Sequence, residues 1–300
     1  RTCTFGTEIY WHGILDYDNR DNRKLAEVKE FYKKLKTLNP VCGSQYVAGF
    51  ALLKDYDNEW DTEVDVWHER VNSFSEEEIF IASELNHTPY DVVYLQEDSE
   101  LEDLIKYPVV FYPHPILMEK KRVDLLKQYV EQGGTLIIGC RSGYKDLNGK
   151  CVMMPQPGLL KELTGSDVKD FTFTSSAEEE VYAIWNKEKM EMPVFNDIMD
   201  ASEDARVLAS YENSYYKGEA ALIEHSVGGG RVLHLGSAFS RKNVTQLLKY
   251  TEVIEPFAAW IEAPNTVEVV MRKKDGKTFL FVLNSQSFAV SVTLKQEMKL

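Results

Sequence analysis

The sequence predicts an α/β fold built on a doubly wound, mostly parallel sheet. Short apolar runs at residues 46–53, 91–95, 109–112 and 135–139 alternate with amphipathic stretches of helical period. The runs are close to continuously apolar, the mark of strands buried on both faces. The helical stretches stop at breakers, at Asn39-Pro40 and at Gly133-Gly134. Three hundred residues with 44% apolar content can bury one large core or two smaller ones.

Taken in order, residues 20–38 carry Leu25, Val28, Phe31, Tyr32 and Leu35 at spacings of three and four, an amphipathic helix. The breaker segment 40–44 leads into the strand 46–53, and residues 60–85 read as one long helix. Strands at 91–95 and 109–112 precede a helix over 119–132 and the strand 135–139. A short helix follows at 159–163. The next 40 or so residues, rich in acids and aromatics, show weak periodicity and receive no assignment. Strands return at 205–210, 220–224 and 230–235, the last two joined in hairpin fashion through Gly228-Gly229. A helix over 242–254 ends before Pro256. Three short strands, 267–271, 278–283 and 289–294, form a small antiparallel domain with Asp275-Gly276 as a tight turn.

The net charge of -14, from 48 acids against 34 bases, repels nucleic acid and anionic membrane surfaces, so neither is expected as a partner. No apolar run approaches the roughly 18 to 20 residues that cross a bilayer. Cys3, Cys42, Cys140 and Cys151 include no C-x-x-C pair and no histidine at ligand spacing. Neither a disulfide framework nor a metal site is signalled, and a reducing, cytoplasmic setting is the default. No cofactor is expected.

Gly139-Cys140-Arg141-Ser142-Gly143 follows a strand, the setting of a nucleophile elbow, which raises a cysteine hydrolase activity. Ile138 and Ser142 stand where an elbow carries smaller residues, and a buried or interface cysteine is the alternative. His68, His87 and His114 are isolated and read as satisfied or surface histidines. Gly228-Gly229-Gly230 precedes a strand and is a turn, not a phosphate cradle. The run Glu8-Ile-Tyr-Trp11-His12 sets a carboxylate, an indole and an imidazole side by side, as carbohydrate sites do. A segment docking on another domain is its other reading. So early in a chain that starts without methionine, the cluster suggests a piece of something larger.

Several stretches resemble the C-terminal half of a family 42 glycoside hydrolase, a bacterial β-galactosidase. They are residues 6–16 around Glu8, 53–60 around Asp57, Asn58 and Trp60, 133–136, 141–146 from Arg141 to Asp146, 229–236, and Phe281-Val-Leu-Asn284. The resemblance implies three parts. Residues 1–41 are the end of a (β/α)8 barrel, with the loop after its last strand and its last helix. Residues 42–258 are an α/β trimerisation domain, flavodoxin-like or class I amidotransferase-like, without amidotransferase chemistry. Residues 259–300 are a C-terminal antiparallel β domain.

The family's retaining hydrolysis of terminal β-D-galactosyl residues uses two glutamates with carboxyl groups about 5 to 5.5 Å apart. By the resemblance both belong to earlier barrel strands, so no catalytic residue is expected in this chain and the chain alone is expected to be inactive. Glu8, with Trp11 or His12, is expected to contact galactose hydroxyls of a lactose-like or oligomeric β-galactoside at the barrel face where active sites gather. The middle part is expected to build a homotrimer. Asp57, Asn58, Trp60, Arg141 and Asp146 are the candidates for interface or cleft rim; an intramolecular cluster at the strand ends is the alternative. The competing function is a non-catalytic assembly or binding module with an amidotransferase-like fold.

Overall fold

The computed structural model of this chain describes residues 13–15, 18–174 and 180–298. It forms two compact units: one takes in residues up to Tyr46 together with Met271–Leu280, the other Val47–Val270 with Phe281–Leu300. In the first unit the helix α1, Arg23–Leu38, begins where the Asn22 side chain accepts the Leu25 N–H at 2.9 Å. None of its residues is buried: Leu25, Val28 and Leu35 are half-buried, and Phe31 and Tyr32 are exposed. A 3-10 turn, Asn39–Val41, follows, and then strand β1, Gln45–Tyr46.

The second unit opens with strand β2, Phe50–Lys54, and helices α2, Tyr56–Thr62, and α3, Val66–Leu85. The single helix expected over 60–85 is therefore two. Asp65 accepts the backbone N–H groups of Trp67 and His68, both at 3.0 Å, and this N-cap stops the first helix and starts the second. The strand expected over 46–53 is likewise divided, with residues 47–49 outside both β1 and β2.

Strand β3 (Tyr90–Tyr94), helix α4 (Leu101–Leu104), strand β4 (Val109–Tyr112), helix α5 (Lys120–Glu131) and strand β5 (Thr135–Ile138) follow. Helix α5 ends at Gly133, whose φ of +105° suits glycine. Helix α6, Lys161–Thr164, precedes β6 (Ser166–Phe173), β7 (Tyr182–Trp185), β8 (Glu188–Glu191) and β9 (Phe195–Ala201), four strands in the stretch that periodicity left unassigned. Then come β10 (Ala205–Tyr211), β11 (Ala220–Val227), β12 (Gly230–Leu235) and α7 (Arg241–Tyr250).

An 11-stranded sheet runs β3-β2-β4-β5-β12-β11-β10-β7-β8, with β9 also pairing β11 and β6 pairing β9. From β3 to β12 the ladders are parallel; from β12 onward they are antiparallel. The sheet is thus mixed, not mostly parallel.

Alternation within the parallel strands divides the core. Phe50, Leu52, Val109, Phe111 and Ile137 join Ile79 of α3 and Val244 and Leu247 of α7. Ala51, Leu53, Val110, Tyr112, Leu136 and Ile138 join Leu126 and Val130 of α5 in the second layer. Both faces are covered, which explains the near-continuous apolar runs; each fully buried Leu or Ile side chain contributes about 1.5–3 kcal/mol.

The chain closes with β13 (Ile261–Glu262), β14 (Val267–Lys274), β15 (Lys277–Asn284) and β16 (Thr293–Leu294). The last is much shorter than the strand expected over 289–294. Asp275 and Gly276, at φ +49° and +71°, make the expected tight turn between β14 and β15. In the first unit β1 pairs Arg272 and Lys273, and the Arg272 guanidinium donates to the Ser44 hydroxyl at 2.8 Å. Among the described residues no helix is long and apolar enough to cross a membrane.

Candidate functional site

Open α/β sheets bind ligands at the carboxyl ends of their strands, where the order of strands reverses. Here that crevice, between β2 and β4, is closed by the chain's own side chains. Asp55, directly after β2, caps α2 by accepting the Asn58 N–H at 2.9 Å. The Asn58 amide donates to the Asp55 carboxylate at 2.8 Å and to the Leu117 carbonyl at 3.1 Å, and its oxygen accepts the Leu117 N–H at 2.9 Å. Tyr112 also donates to Asp55, and Arg122 of α5 joins Asp55, at 3.2 Å, to Asp57. Asn58 is buried and fully occupied in holding the loops together.

The elbow after β5 is equally closed. Cys140 is fully buried, and burial pushes its thiol well above the ordinary range. His114 lies beside it, but its Nδ1 is 2.9 Å from the Cys140 carbonyl oxygen and its Nε2 is 2.7 Å from the Ser75 hydroxyl. Burial, partly opposed by the bond to Cys140, pushes the imidazole down to about 3. A neutral imidazole facing a carbonyl does not generate a thiolate, so the cysteine hydrolase reading is set aside. A Cβ at Gly139 would come 2.4 Å from the His114 ring, so only glycine allows this approach.

Arg141 follows at φ +61° and turns its side chain across to the α2–α3 junction. Its guanidinium meets Asp65 at 2.8 Å, Lys145 meets Asp61 at 2.9 Å and Asp65 at 2.8 Å, and His68 Nδ1 meets Asp61 at 2.9 Å. Burial alone raises the Asp65 carboxyl; its bonds to Arg141 and Lys145 outweigh that and hold it well below the usual range. Asp61 is lowered in the same way, against its burial, by His68 and Lys145. Asp146, the next residue, stands apart from this network: its carboxylate accepts the N–H groups of Asn148 and Lys150 and fixes a turn.

Beside the network lies a chain of aromatic rings. Phe171 stacks on Phe195 at 5.6 Å, Phe173 meets Phe195 edge-on at 6.1 Å, and Trp67 sits 4.1 Å from Phe173. Opposite Phe171 in the β6–β9 register, Asp197 is fully buried, accepting the Tyr144 hydroxyl at 2.6 Å and the Arg141 N–H at 2.8 Å. Burial pushes its carboxyl up to about 6, with the two donors opposing.

Trp60 is 61% exposed on α2 and stacks with Tyr56, which in turn stacks on Tyr94. Glu8, Trp11 and His12 lie outside the described residues. Among the described residues no group of His, Cys, Asp or Glu is placed to hold a metal ion.

Of the sequence-expected residues, the fold brings Asp57 and Asn58 into one cluster with Asp55 and Arg122, and Arg141 into another with Asp61, Asp65 and Lys145. It leaves Trp60 and Asp146 outside both. Asp197, Tyr144, Trp67 and the paired phenylalanines of β6 were not singled out by their sequence. The Phe171-x-Phe173 spacing was the one available signal.

Curated relatives align along nearly the whole chain. A β-galactosidase of Heyndrickxia coagulans is 25% identical over 294 residues, covering 95% of this chain and 42% of its own length. One from Geobacillus sp. is 26% identical over 99% of this chain and 44% of its own. The chain therefore spans less than half the length of these relatives. Among solved structures, a β-galactosidase from Bacillus circulans sp. alkalophilus has a TM-score of 0.79 at 21% identity, covering 94% of this chain and 42% of that one. A GH42 β-galactosidase catalytic mutant from G. stearothermophilus has a TM-score of 0.80 at 20% identity, covering 95% and 41%. At these identities the structures establish a shared fold. Residues 48–254 match the family described as the β-galactosidase trimerisation domain, and the chain belongs to that family.

Proposed function

We propose that this chain is the C-terminal part of a retaining β-galactosidase that hydrolyses terminal β-D-galactosyl residues by double displacement, and that it supplies subunit assembly and one edge of the sugar site. The observation that carries this reading is the pattern of coverage: named β-galactosidases align along 95% and 99% of this chain, while the chain accounts for 42% and 44% of them. Helix α1 supports it. Its stripe of Leu25, Val28, Phe31, Tyr32 and Leu35 has the pattern of a core-facing helix, yet contains no buried residue among those described. A barrel supplied by the rest of the protein is the partner that stripe fits.

On this reading residues 1–41 end the barrel, 42–258 assemble the trimer and 259–300 form a β domain. The parallel strands, in the order β3-β2-β4-β5-β12, read 2-1-3-4-5 along the chain, which supports a flavodoxin-like core for the assembly part. Asn58 and Arg141 shape the strand-end loops from within, whereas Asp57, Trp60 and Asp146 lie toward a rim or an interface between copies. Glu8, with Trp11 or His12, contacts the galactose hydroxyls. The widely spaced cysteines suit the cytoplasm.

The test is hydrolysis. The protein encoded with its upstream region is expected to cleave a nitrophenyl β-galactoside, the 300-residue chain alone is not, and Glu8→Ala in the complete protein is expected to lose a few kcal/mol of transition-state stabilisation. A start codon close to Arg1, with no barrel upstream, would favour a non-catalytic assembly module instead.

A further inference from the structure

We propose that the apolar surface formed by Val64, Val66, Trp67, Phe171 and Phe173, with Arg70 laid over its rings, is a contact between copies of this chain, where it meets a different, acidic surface of a second copy. The proposal rests on the assembly reading above. It adds the residues that make the contact and the kind of surface they meet.

Val64 and Val66 flank Asp65, the N-cap of α3, and both are exposed, Val64 at 84%. Trp67 follows on the helix, also exposed, with its ring centre 4.1 Å from that of Phe173. Phe171 and Phe173 are two apart on β6 and so share a face, and Phe171 is 57% exposed. The buried Phe195 backs both, stacked on Phe171 with an interplanar angle of 15° and edge-on to Phe173. Large apolar groups scattered singly over a surface are ordinary, but gathered like this they mark an interaction surface. The rings are already packed on one another, so contact costs little side-chain entropy.

Arg70 decides what covers them. Its guanidinium lies 5.7 Å from the centre of the Trp67 ring and 4.9 Å from that of Phe173, and it makes no ion pair among the described residues. Asp61 and Asp65, near the start of the same helix, are already held by His68, Lys145 and Arg141. A guanidinium seated over aromatic rings keeps its N–H donors for a carboxylate. Aromatic residues and Arg are the types enriched where proteins meet. A second copy brings acids in excess, 48 against 34 bases. A patch that seeks an acid does not complement itself, so the contact joins unlike surfaces, the kind that closes a ring.

The test is sedimentation equilibrium of the 300-residue chain at micromolar concentration, beside Val64→Glu, Phe171→Glu, Arg70→Ala and, as a control at an exposed ring farther along α3, Phe80→Glu. The parent is expected at the mass of three chains. Val64→Glu and Phe171→Glu are expected to weaken association about tenfold or more and to move the mass toward one chain, while Phe80→Glu assembles as the parent does. Association of the parent is expected to weaken as salt rises, and less steeply in Arg70→Ala. Thermal unfolding identifies any variant that has lost its fold, and Val64, with almost no packing to lose, keeps the test decisive if Phe171→Glu does not fold. A parent that assembles while both patch variants assemble equally well overturns this inference and leaves the assembly reading standing, with the patch left to another part of the complete protein. A parent that stays monomeric overturns both. Equal dissociation of Phe80→Glu overturns the choice of surface, and an unchanged salt dependence in Arg70→Ala overturns the acidic partner.

Discussion

Lys145 places its ammonium 2.9 Å from Asp61 and 2.8 Å from Asp65, bridging the loop after β5 to the junction of α2 and α3. Both carboxylates are largely shielded from water, so each depends on such partners for its charge. Lys145→Met removes the bridge and leaves two shielded acids around a shared gap, with a cost of about 3 kcal/mol. Adding Asp61→Asn is expected to recover part of it, because the two residues share one network. Urea unfolding of the three proteins measures both effects; a single variant within error of the parent contradicts the bridge.

Asn58 and Trp60, two residues apart on α2, differ in burial: Asn58 is buried and Trp60 is exposed. Asn58→Ala strands the buried Asp55 and Leu117 groups and is expected to cost about 2–4 kcal/mol in stability. Trp60→Ala, at an exposed ring, is expected to change stability by about 0.5 kcal/mol or less while weakening association between copies. Chemical denaturation alongside sedimentation distinguishes them, and the reverse ranking in stability contradicts these assignments.

The sequence made the parallel half of the sheet legible because strands buried on both faces leave near-continuous apolar runs, as Phe50 to Leu53 and Val109 to Tyr112 do. The break between α2 and α3 was hidden because Asp65 looks like an ordinary solvent-facing helix position until its side chain is seen capping Trp67 and His68. In β6 the register shifts between Val168 and Asp170, which interrupts the two-residue alternation, and β8 is only four residues long with two of them exposed. At the site, the resemblance picked out Asn58 and Arg141. Their partners Leu117, Asp65 and Asp197 lie 56 to 76 residues away along the chain, and no local pattern reveals them.

Acidification is expected to destabilise the fold. His114 and His234 are pushed by burial down to about 3 and about 4 from 6.5, so they bind protons more readily when unfolded, and their contribution is lost as pH falls below 6.5. Asp197, raised by burial to about 6 from 3.8, acts oppositely and favours the fold as pH falls from about 6 to about 4. Two histidines outweigh one carboxylate, leaving a net loss of about 1.4 kcal/mol per pH unit across that window. Asp197→Asn removes the opposing group and is expected to steepen the slope to about 2.7 kcal/mol per unit. Urea midpoints across the window test this, and an unchanged slope in the variant refutes the role given to Asp197.

Cys140, fully buried with its thiol pushed well up, is expected to react with iodoacetamide only as fast as the protein opens, whereas the exposed Cys42 and Cys151 react at once. Mass spectrometry over time distinguishes the sites. Prompt alkylation of Cys140 would revive the nucleophile reading.

The most direct test of the central claim is sedimentation equilibrium of the 300-residue chain at micromolar concentration. An assembly part of a β-galactosidase is expected to sediment with the mass of three chains, shifted toward one by Trp60→Ala. A strict monomer across the concentration range, with Trp60→Ala indistinguishable from the parent, contradicts it.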